Sequence, residues 1–385
     1  MLKKCFALTL ALLLVVSCFG CGSKSRQSGA ADGVSTTMAQ PDKEKETTVK
    51  TLAEGNKIAF LVNTPEQDVE FNPVVMRIAD GYDRSVMTVA IPDESVEDPL
   101  NVMRTAVATA LDPQVKVMVF SGAAAGVANA LKQVRAQRDD VTLIVCDPVE
   151  DTAEMRENAD LILRVDYAAY AADAVRRAKE MGAENFVLLT SERELKLFDV
   201  ATMKKAAQDT CAKEKMTFKA VACPDMLESG RTQESGEQFI AEEASRQMEK
   251  LGEKTALFCV SPQLQGALAR QAALRGMVMP ATFRPSPLAI AEGVGVSLDG
   301  HETDAAYAMQ QLREQAETLG IQGRVATWGV SMPDVMMQTA FACAQAVVDG
   351  DALNEQAVRK ALPDDAVTVA ADGVVYTLSA ETTVF

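Results

Sequence analysis

The chain has 385 residues, of which 48% are hydrophobic and 24% charged, an ordinary composition for a soluble globular protein. Even without a leader and a tether, this length exceeds what one hydrophobic core serves efficiently, so we expect two domains. The formal net charge of -16 excludes a nucleic-acid-binding role, because no basic excess is present to neutralise phosphates. The same acidity would repel an anionic lipid surface, so attachment to a membrane must have another source.

The start of the chain has the pattern of a bacterial lipoprotein leader. Two lysines precede the apolar run 6–16, which is too short to span a bilayer because a span needs about 20 residues. Aliphatic residues precede Cys18, whereas Cys21 follows the small residue Gly20. Either cysteine suits attachment of diacylglycerol, and we favour Cys18 with a signal peptide over 1–17. The alternative is a plain secretory signal peptide with incidental cysteines.

Residues 18–55 predict a flexible tether, because small and charged residues dominate and large apolar residues are almost absent. Two or three acyl chains, palmitate among them, would hold such a tether permanently at a bilayer. We therefore expect a lipid-anchored protein on the extracytoplasmic face of the cell membrane.

From residue 56 onward, short segments that are apolar throughout alternate with helix-like segments. Such segments indicate strands covered on both faces, hence a parallel sheet with helices on either side. The predicted strands are 57–62, 86–91, 115–120, 141–146 and 161–165, and the predicted helices end at 81 or span 99–111 and 124–138. This series predicts one doubly wound lobe.

A second series of the same kind follows. Its predicted helices are 167–181, 195–213, 237–251, 263–274 and 303–318, and its predicted strands are 186–190, 216–222, 255–260, 287–290 and 294–298. Helices at 334–348 and 355–362 and a hairpin around Asp372-Gly373 complete the chain, which recrosses to the first lobe near 323–331.

We therefore predict an α/β fold of two doubly wound parallel-sheet lobes joined by a hinge. The N-terminal lobe comprises 56–165 plus about 325–385, and the C-terminal lobe comprises 166–324.

Residues suited to catalysis are scarce. His301 is the single histidine, so a site that needs several histidines is impossible, and we interpret it as a solvated residue near a helix start. No G-x-S-x-G, G-x-G-x-x-G or P-loop motif is present. Acidic residues are too plentiful to single out a catalytic carboxylate pair. We expect a binding protein without catalytic residues, metal or cofactor.

Ligands of open α/β sheets bind beyond the carboxyl ends of the strands. A micromolar affinity corresponds to about -8 kcal/mol, which several hydrogen bonds and one apolar wall can supply. The strand ends select Asn63, Thr64, Glu66, Asp93, Ser121, Gly122 and Asp147 in the first lobe, and Ser191, Glu192, Arg193, Ser261 and Gln263 in the second. The small residues 121–126 either admit a ligand to backbone amides at a helix N-terminus or serve close strand-to-helix packing.

Trp328, the single tryptophan, lies near the expected recrossing. It either forms a wall of the cleft, where it could stack on a sugar or heterocycle, or lies in the core of a lobe. Five cysteines follow the tether, and we interpret them as core thiols: Cys146, Cys211, Cys223, Cys259 and Cys343. An oxidising compartment would permit one disulfide, whose partners the spacing does not select.

Three stretches carry a family resemblance: Arg284-Pro285-Ser286-Pro287-Leu288, the Gly-x-Gly-Val-x-Leu pattern at 293–298, and Gly323-Arg324 with Thr327-Trp328. Together with the tandem order and the leader, they make residues 56–350 resemble an uncharacterised family of bacterial lipoproteins related to type 1 periplasmic solute-binding proteins. The resemblance implies a Venus-flytrap fold and a solute-binding role with a membrane transporter as partner. It implies no particular ligand.

Three functions remain open on the sequence. We favour a monomeric, lipid-anchored solute-binding protein that captures a small molecule for a membrane permease. The alternatives are a sensory or interaction lipoprotein that presents the same lobes to a membrane receptor, and an extracytoplasmic enzyme that uses carboxylates.

Overall fold

The strands form two separate main sheets in the computed structural model. The structure describes residues 49–92, 98–122, 124–363 and 365–385, except for the side chain of Glu54. The strands are β1 (Lys57–Val62), β2 (Val86–Ala90), β3 (Val115–Ser121), β4 (Thr142–Cys146), β5 (Leu161–Val165), β6 (Asn185–Thr190), β7 (Thr217–Ala222), β8 (Thr255–Cys259), β9 (Ala326–Trp328), β10 (Val367–Asp372), β11 (Val375–Ala380) and β12 (Thr382–Val384).

Eleven α-helices connect and cover these strands in the described part of the chain. They are α1 (Phe71–Asp80), α2 (Leu100–Ala110), α3 (Val127–Gln137), α4 (Tyr167–Glu180), α5 (Phe198–Glu214), α6 (Gln233–Leu251), α7 (Gln265–Arg275), α8 (Leu288–Ala291), α9 (Ala305–Leu319), α10 (Met332–Val348) and α11 (Glu355–Ala361). None of the described helices is long and apolar enough to cross a membrane.

The first sheet has the strand order β10-β11-β5-β4-β3-β1-β2, and all its pairs are parallel except β10 with β11. Its strands are apolar throughout because both faces are buried. Ile58 and Phe60 belong to one apolar core, and their neighbours Ala59 and Leu61 belong to the core on the opposite face. The predicted hairpin around Asp372-Gly373 is confirmed as β10 and β11.

The second sheet has the parallel order β7-β6-β8, and single bridges extend it toward Val278 and Val325. One face contributes Phe186 and Phe258 to the core that also covers the first sheet. The other face contributes Leu189 and Cys259 to a core with α6, α7 and α9. The two sheets are therefore joined through a shared apolar core without merging into one sheet.

The predicted strands 287–290 and 294–298 are wrong, because the chain is helical from 288 to 294 and forms a turn and an irregular loop over 295–298. Helix α8 runs directly into a 3-10 helix at Glu292–Val294. A short apolar run does not distinguish a buried strand from a buried helical turn, and here Ile290, Ala291 and Val294 bury one side of a helical segment. The five cysteines expected in the core are all buried, with free thiols.

After β9 the chain covers the first sheet again. Strand β9 pairs with β12, and α10 then packs against β3, β4 and β5. The described residues fall in one compact unit, and the boundaries of the two predicted domains stay a prediction.

Candidate functional site

A cavity of about 300 Å³ lies where the carboxyl ends of strands from both sheets face each other. The loops after β1 and β4 contribute from the first sheet, and the loops after β6 and β8 contribute from the second. Of the residues selected from the sequence, five line it: Asn63, Asp147, Arg193, Ser261 and Gln263. The volume is at the lower end of the range for small-molecule sites, roughly 300–1,000 Å³.

Three of the selected residues are buried in supporting positions instead. The hydroxyl of Ser121 donates to the carbonyl of Leu61 on the neighbouring strand, at 3.1 Å. Ser191 and Glu194 brace the loop after β6, since the Ser191 amide donates to the Glu194 carboxylate at 2.8 Å and the Ser191 hydroxyl accepts from the Glu194 amide at 3.1 Å. Gly122 leaves room for the Asp68 carboxylate, because a Cβ at this position would lie 2.5 Å from Asp68 Oδ2. Its φ of +73° also favours glycine.

The remaining selected residues do not line the cavity. Thr64 is half-buried, whereas Glu66 and Glu192 are exposed. Asp93 and the lipidation candidates Cys18 and Cys21 lie outside the described residues. Trp328 is 6% exposed and packs edge-on against Tyr170, with ring centroids 5.1 Å apart, so the core alternative describes its position. Ligand binding by the selected residues stays a prediction.

A buried cluster of three carboxylates around Arg284, here called the Arg284 cluster, borders the cavity through Asp147 and Arg284. Arg284 Nη1 lies 3.4 Å from Glu70 Oε2 and 3.5 Å from Asp68 Oδ1, and Arg284 Nε lies 3.2 Å from Asp147 Oδ2. The Tyr167 hydroxyl also donates to Asp147 Oδ2, at 3.1 Å. All four charged side chains are at most 8% exposed.

Each carboxylate of the cluster keeps one oxygen without a hydrogen-bond partner among the described residues: Asp68 Oδ2, Glu70 Oε1 and Asp147 Oδ1. Buried acceptors without donors are unfavourable, and in native proteins they mark an absent water, ion or ligand. Asp147 lines the 300 Å³ cavity, and Glu70 lines a second cavity of about 520 Å³. The Arg284 cluster therefore lies between two cavities, and its carboxylates contribute to the lining of each one.

The loop that carries Arg284 is anchored at several points. The carbonyl of Thr282 accepts from Tyr170 at 2.7 Å, and its hydroxyl pairs with that of Thr327 at 2.7 Å. The buried amide of Gln265 accepts from the Phe283 backbone at 3.0 Å and donates to the carbonyls of Cys259 and Ser261. Trp328 supports this loop through Tyr170.

Two members of the cluster have unusual backbone conformations. Asp147 and Arg284 both have φ of 49°, in the left-handed region that residues other than glycine seldom adopt. Such strain persists only where the surroundings determine it, and it concentrates at binding and catalytic sites. The position of this pair, directly on the cavity wall, agrees with that tendency.

Burial raises the pKa values of the carboxyl groups in the cluster. Desolvation outweighs the attraction of Arg284 and raises the pKa of Glu70 to about 8. Desolvation also raises the pKa values of Asp68 and Asp147, against the opposing effects of Arg284 and hydrogen bonds. Asp199, at the start of α5, lines the cavity with its carboxylate 3.5 Å from Arg164, and burial raises its pKa to about 7.

The thermal stability of the protein is expected to fall as the pH rises from about 5 to about 8. In this window Glu70 and Asp199 hold protons in the folded protein that the unfolded chain releases, because their pKa values are raised from 4.5 and 3.8. Scanning calorimetry across this pH range measures the slope. Glu70→Gln removes one titrating group and should flatten the slope of unfolding free energy by up to about 1.4 kcal/mol per pH unit.

Glu242→Gln, on the exposed side of α6, is the matched control and should keep the wild-type slope. A melting temperature that rises over this range, or equal slopes in wild type and Glu70→Gln, would contradict the assignment. Exposed carboxylates of lowered pKa, such as Asp83 and Asp112, lose stabilisation only at more acidic pH, so they do not mask the effect.

The rest of the cavity combines polar and apolar groups. Arg193 forms a two-point pair with Asp225, with distances of 2.5 and 3.1 Å. Phe283 lies 5.4 Å from the Tyr167 ring at an angle of 34°, and the two rings belong to the same wall. In the described part of the chain, no group of His, Cys, Asp or Glu is arranged to hold a metal ion. The site can therefore bind a small solute through carboxylates, amides and aromatic rings.

Sequence reasoning missed Arg284, Asp68, Glu70, Tyr167 and Asp199 as members of the site. In the sequence, Arg284 is notable only as part of a family motif. A single arginine in a Pro-rich loop does not indicate which carboxylates it pairs with. Asp68 and Glu70 precede α1, where acidic residues are ordinary caps, and Asp68 Oδ1 does accept from the Phe71 amide at 3.0 Å.

His301, the single histidine, is far from a catalytic arrangement. Its ring stacks on Tyr307 with centroids 3.8 Å apart, and its Nδ1 lies 3.4 Å from Asp304. The side chain is 43% exposed and is not among the residues that line the cavity.

Solved structures share the fold. A candidate transcriptional regulator from Clostridium difficile 630 aligns with a TM-score of 0.69 at 18% identity, covering 86% of this chain and 99% of that one. The substrate-binding protein of a sugar ABC transport system from Bordetella parapertussis 12822 gives 0.52 at 12% identity, covering 87% and 90%. A periplasmic solute-binding protein of an ABC transporter from Actinobacillus succinogenes 130z, with bound D-allose, gives 0.52 at 13% identity, covering 86% and 97%.

These similarities confirm the predicted fold class, that of type 1 periplasmic binding proteins. Two proteins of Treponema pallidum (strain Nichols), both described as uncharacterized, are related in sequence. The first is 28% identical over 148 residues, 38% of this chain and 67% of the relative, and the second is 26% identical over 156 residues, 40% and 71%.

The predicted relation to an uncharacterised family is also confirmed. Residues 57–326, which include β1 to β8, Arg284 and the loop that holds it, match a family defined by its sequence. The chain belongs to the family described as protein of unknown function (DUF3798).

Proposed function

We propose that the protein reversibly captures a small hydrophilic solute in the 300 Å³ cavity between the two sheets and does not change it chemically. The observation that carries this proposal is the set of buried acceptor oxygens without donors in the Arg284 cluster, above all Oδ1 of Asp147, the carboxylate of the cluster that lines the cavity. A solute with hydrogen-bond donors would satisfy them, and water would be displaced as it enters.

The surroundings of the cavity support binding rather than turnover. Carboxylates of the site are held by arginines or by backbone amides, and the single histidine is elsewhere. We therefore assign the carboxylates to recognition, and the protein to the non-enzymatic solute-binding proteins.

The setting that we propose is the extracytoplasmic face of the cell membrane. Attachment through acyl chains on Cys18 or Cys21, with residues 18–55 as a tether, would keep the cavity near the bilayer. Two proteins of similar fold are described as the binding components of ABC transporters, and we propose that this chain likewise delivers its solute to a membrane transporter.

A thermal-shift screen of sugars, nucleosides, amino acids, amines and organic acids tests the proposal. A solute at about 100 times its Kd should add about 2.7 kcal/mol, a shift of several degrees. Ala125→Trp, which places an indole in the cavity, should abolish the shift, whereas Ala212→Trp, on the exposed side of α5, should preserve it. No stabilising compound in any class, or stabilisation that survives Ala125→Trp, would contradict the proposal.

A further inference from the structure

The charges buried beside the cavity do not balance. Asp147 and Asp199 line it, and Asp68 and Glu70 share Arg284 with Asp147, so four carboxylates are grouped there. Two guanidinium groups face them: Arg284 is shared by three of the carboxylates, and Arg164 lies 3.5 Å from the fourth. When all four carboxyl groups are ionised, two negative charges of the buried group therefore have no matching cation.

The other basic residues of the cavity do not correct this deficit. Arg193 is engaged by its own partner, Asp225, at 2.5 Å. Lys196 lines the cavity but is exposed to solvent, where water screens its charge. Glu194, which also lines the cavity, adds a further carboxylate rather than a cation.

Of the four carboxylates, Asp147 both lines the cavity and keeps an oxygen without a hydrogen-bond partner among the described residues. Asp147 is 4% exposed at its side chain, and its Oδ1 has no hydrogen-bond partner among the described residues. Its Oδ2 is already occupied by the Tyr167 hydroxyl and by Arg284. A donor group that reaches Asp147 from the cavity would therefore find one acceptor oxygen without a partner.

Three classes of ligand would differ in how favourably they bind beside these carboxyl groups. An anion would add further negative charge beside the buried carboxyl groups in a region with little water, which is strongly unfavourable. A neutral polyol would supply donors but leave the charge deficit in place. A protonated amine supplies both donors and charge, and the rings of Phe283 and Tyr167 offer faces that attract cations.

We infer that the solute carries a protonated amine, which binds at Asp147 and Asp199 with its organic part against Phe283. This inference rests on the proposed function, because it names the class of solute for the same cavity. It separates this chain from a sugar-binding protein that would use the same fold.

The inference has a consequence for protons. The groups around the amine position are Asp68 and Glu70 before α1, Asp147 after β4, Arg164 on β5, Tyr167 on α4, Asp199 on α5, and Arg284. Burial raises the pKa values of the four carboxyl groups, and a bound cation favours their ionised forms. Amine binding should therefore release protons, and the affinity should rise from about pH 6 to about pH 8.

Titration calorimetry with matched pairs tests the inference. The pairs are tyramine and tyrosol, tryptamine and tryptophol, glucosamine and glucose, and ethanolamine and ethylene glycol, with citrate and gluconate as anions. At least one amine should bind about tenfold or more tightly than its hydroxyl partner, and neither anion should bind. When the titration is repeated in buffers of different ionisation enthalpy, the change in the observed binding enthalpy gives the number of protons released.

Two conservative variants locate the contact. Asp147→Asn and Asp199→Asn should each weaken the amine by at least about tenfold, because each removes one charge of a buried pair. Asp209→Asn, on an exposed part of α5, is the matched control and should leave the affinity unchanged. Asp199→Asn leaves the Arg284 cluster intact, so it keeps the test valid if Asp147→Asn does not fold.

The possible results separate the two proposals. Binding of a hydroxyl compound or an anion in preference to every amine would overturn the inference and leave solute capture standing. Amine affinity unaffected by Asp199→Asn, or proton uptake on binding, would also overturn it. Failure of all compounds in this panel and in the wider screen would overturn solute capture itself.

Discussion

Replacement of Arg284 by leucine is expected to lower the free energy of unfolding by about 3–5 kcal/mol at pH 8, the cost of removing one partner from a buried ionic group. The guanidinium is the only cation of the Arg284 cluster among the described residues, and it is also flanked by the Phe71 and Phe283 rings, with centroid distances of 5.1 and 5.8 Å. Urea denaturation followed by circular dichroism measures the loss.

The same variant should be less impaired at pH 5. Without Arg284 the pKa values of Asp68, Glu70 and Asp147 rise further, so at pH 5 these groups are held neutral and the penalty of burying them as anions disappears. Arg359→Leu is the control, because its pair with Glu355 is about half exposed on both sides and should be worth less than about 1 kcal/mol. An equal loss at both pH values, or a loss as small as that of Arg359→Leu, would show that the cluster is not the ionic group described here.

Replacement of Gly293 by alanine is expected to destabilise the protein by about 3 kcal/mol or more. A Cβ at this position would lie 2.0 Å from the carbonyl oxygen of Gly266 and 2.6 Å from its carbonyl carbon. Both atoms belong to the backbone of α7, so the two segments would have to move apart. Thermal and urea unfolding of the purified variant measure the effect.

Gly266→Ala is a matched control from the partner side of the same contact. A Cβ on Gly266 would have its nearest neighbour, the carbonyl oxygen of Ala289, at 3.6 Å, an ordinary van der Waals distance. Since Gly266 lies in α7, alanine there should change stability by less than about 1 kcal/mol. Equal losses for the two variants would mean that the contact is not the close backbone approach described here.

The regular part of the fold was predictable because a strand that is buried on both faces is apolar at nearly every position. Runs such as 57–62 and 141–146 are apolar at every position, and the structure buries them between two cores. Residues 287–298 were not predictable in the same way. Their apolar residues face α7 from a helical segment only a few residues long, for which periodicity carries no information.

The cavity was predictable only in part, for a related reason. Strand ends are local features, so Asp147, Arg193 and Ser261 could be selected from the sequence and do line the cavity. The Arg284 cluster depends on contacts between distant segments, since Glu70 and Arg284 are 214 positions apart in the sequence. A local sequence pattern carries no information about such a contact. The strand-end rule also selected Ser121, whose hydroxyl donates a hydrogen bond to the neighbouring strand instead of lining the cavity.

Trp328 illustrates how a correct location can leave a role open. The prediction placed it near the return of the chain to the first sheet, and β9 does precede α10 there. Its indole supports Tyr170, which in turn holds the Thr282 carbonyl in the loop of Arg284. The residue thus acts on the cavity through two intermediates rather than by touching a solute.

A crystal structure of the protein with the tightest-binding compound of the panel tests the central claim most directly. The account predicts that the compound occupies the space between the two sheets, with a donor atom within hydrogen-bond distance of Asp147 and its apolar part along Phe283. A compound bound elsewhere, with nothing but water beside Asp147, would contradict it.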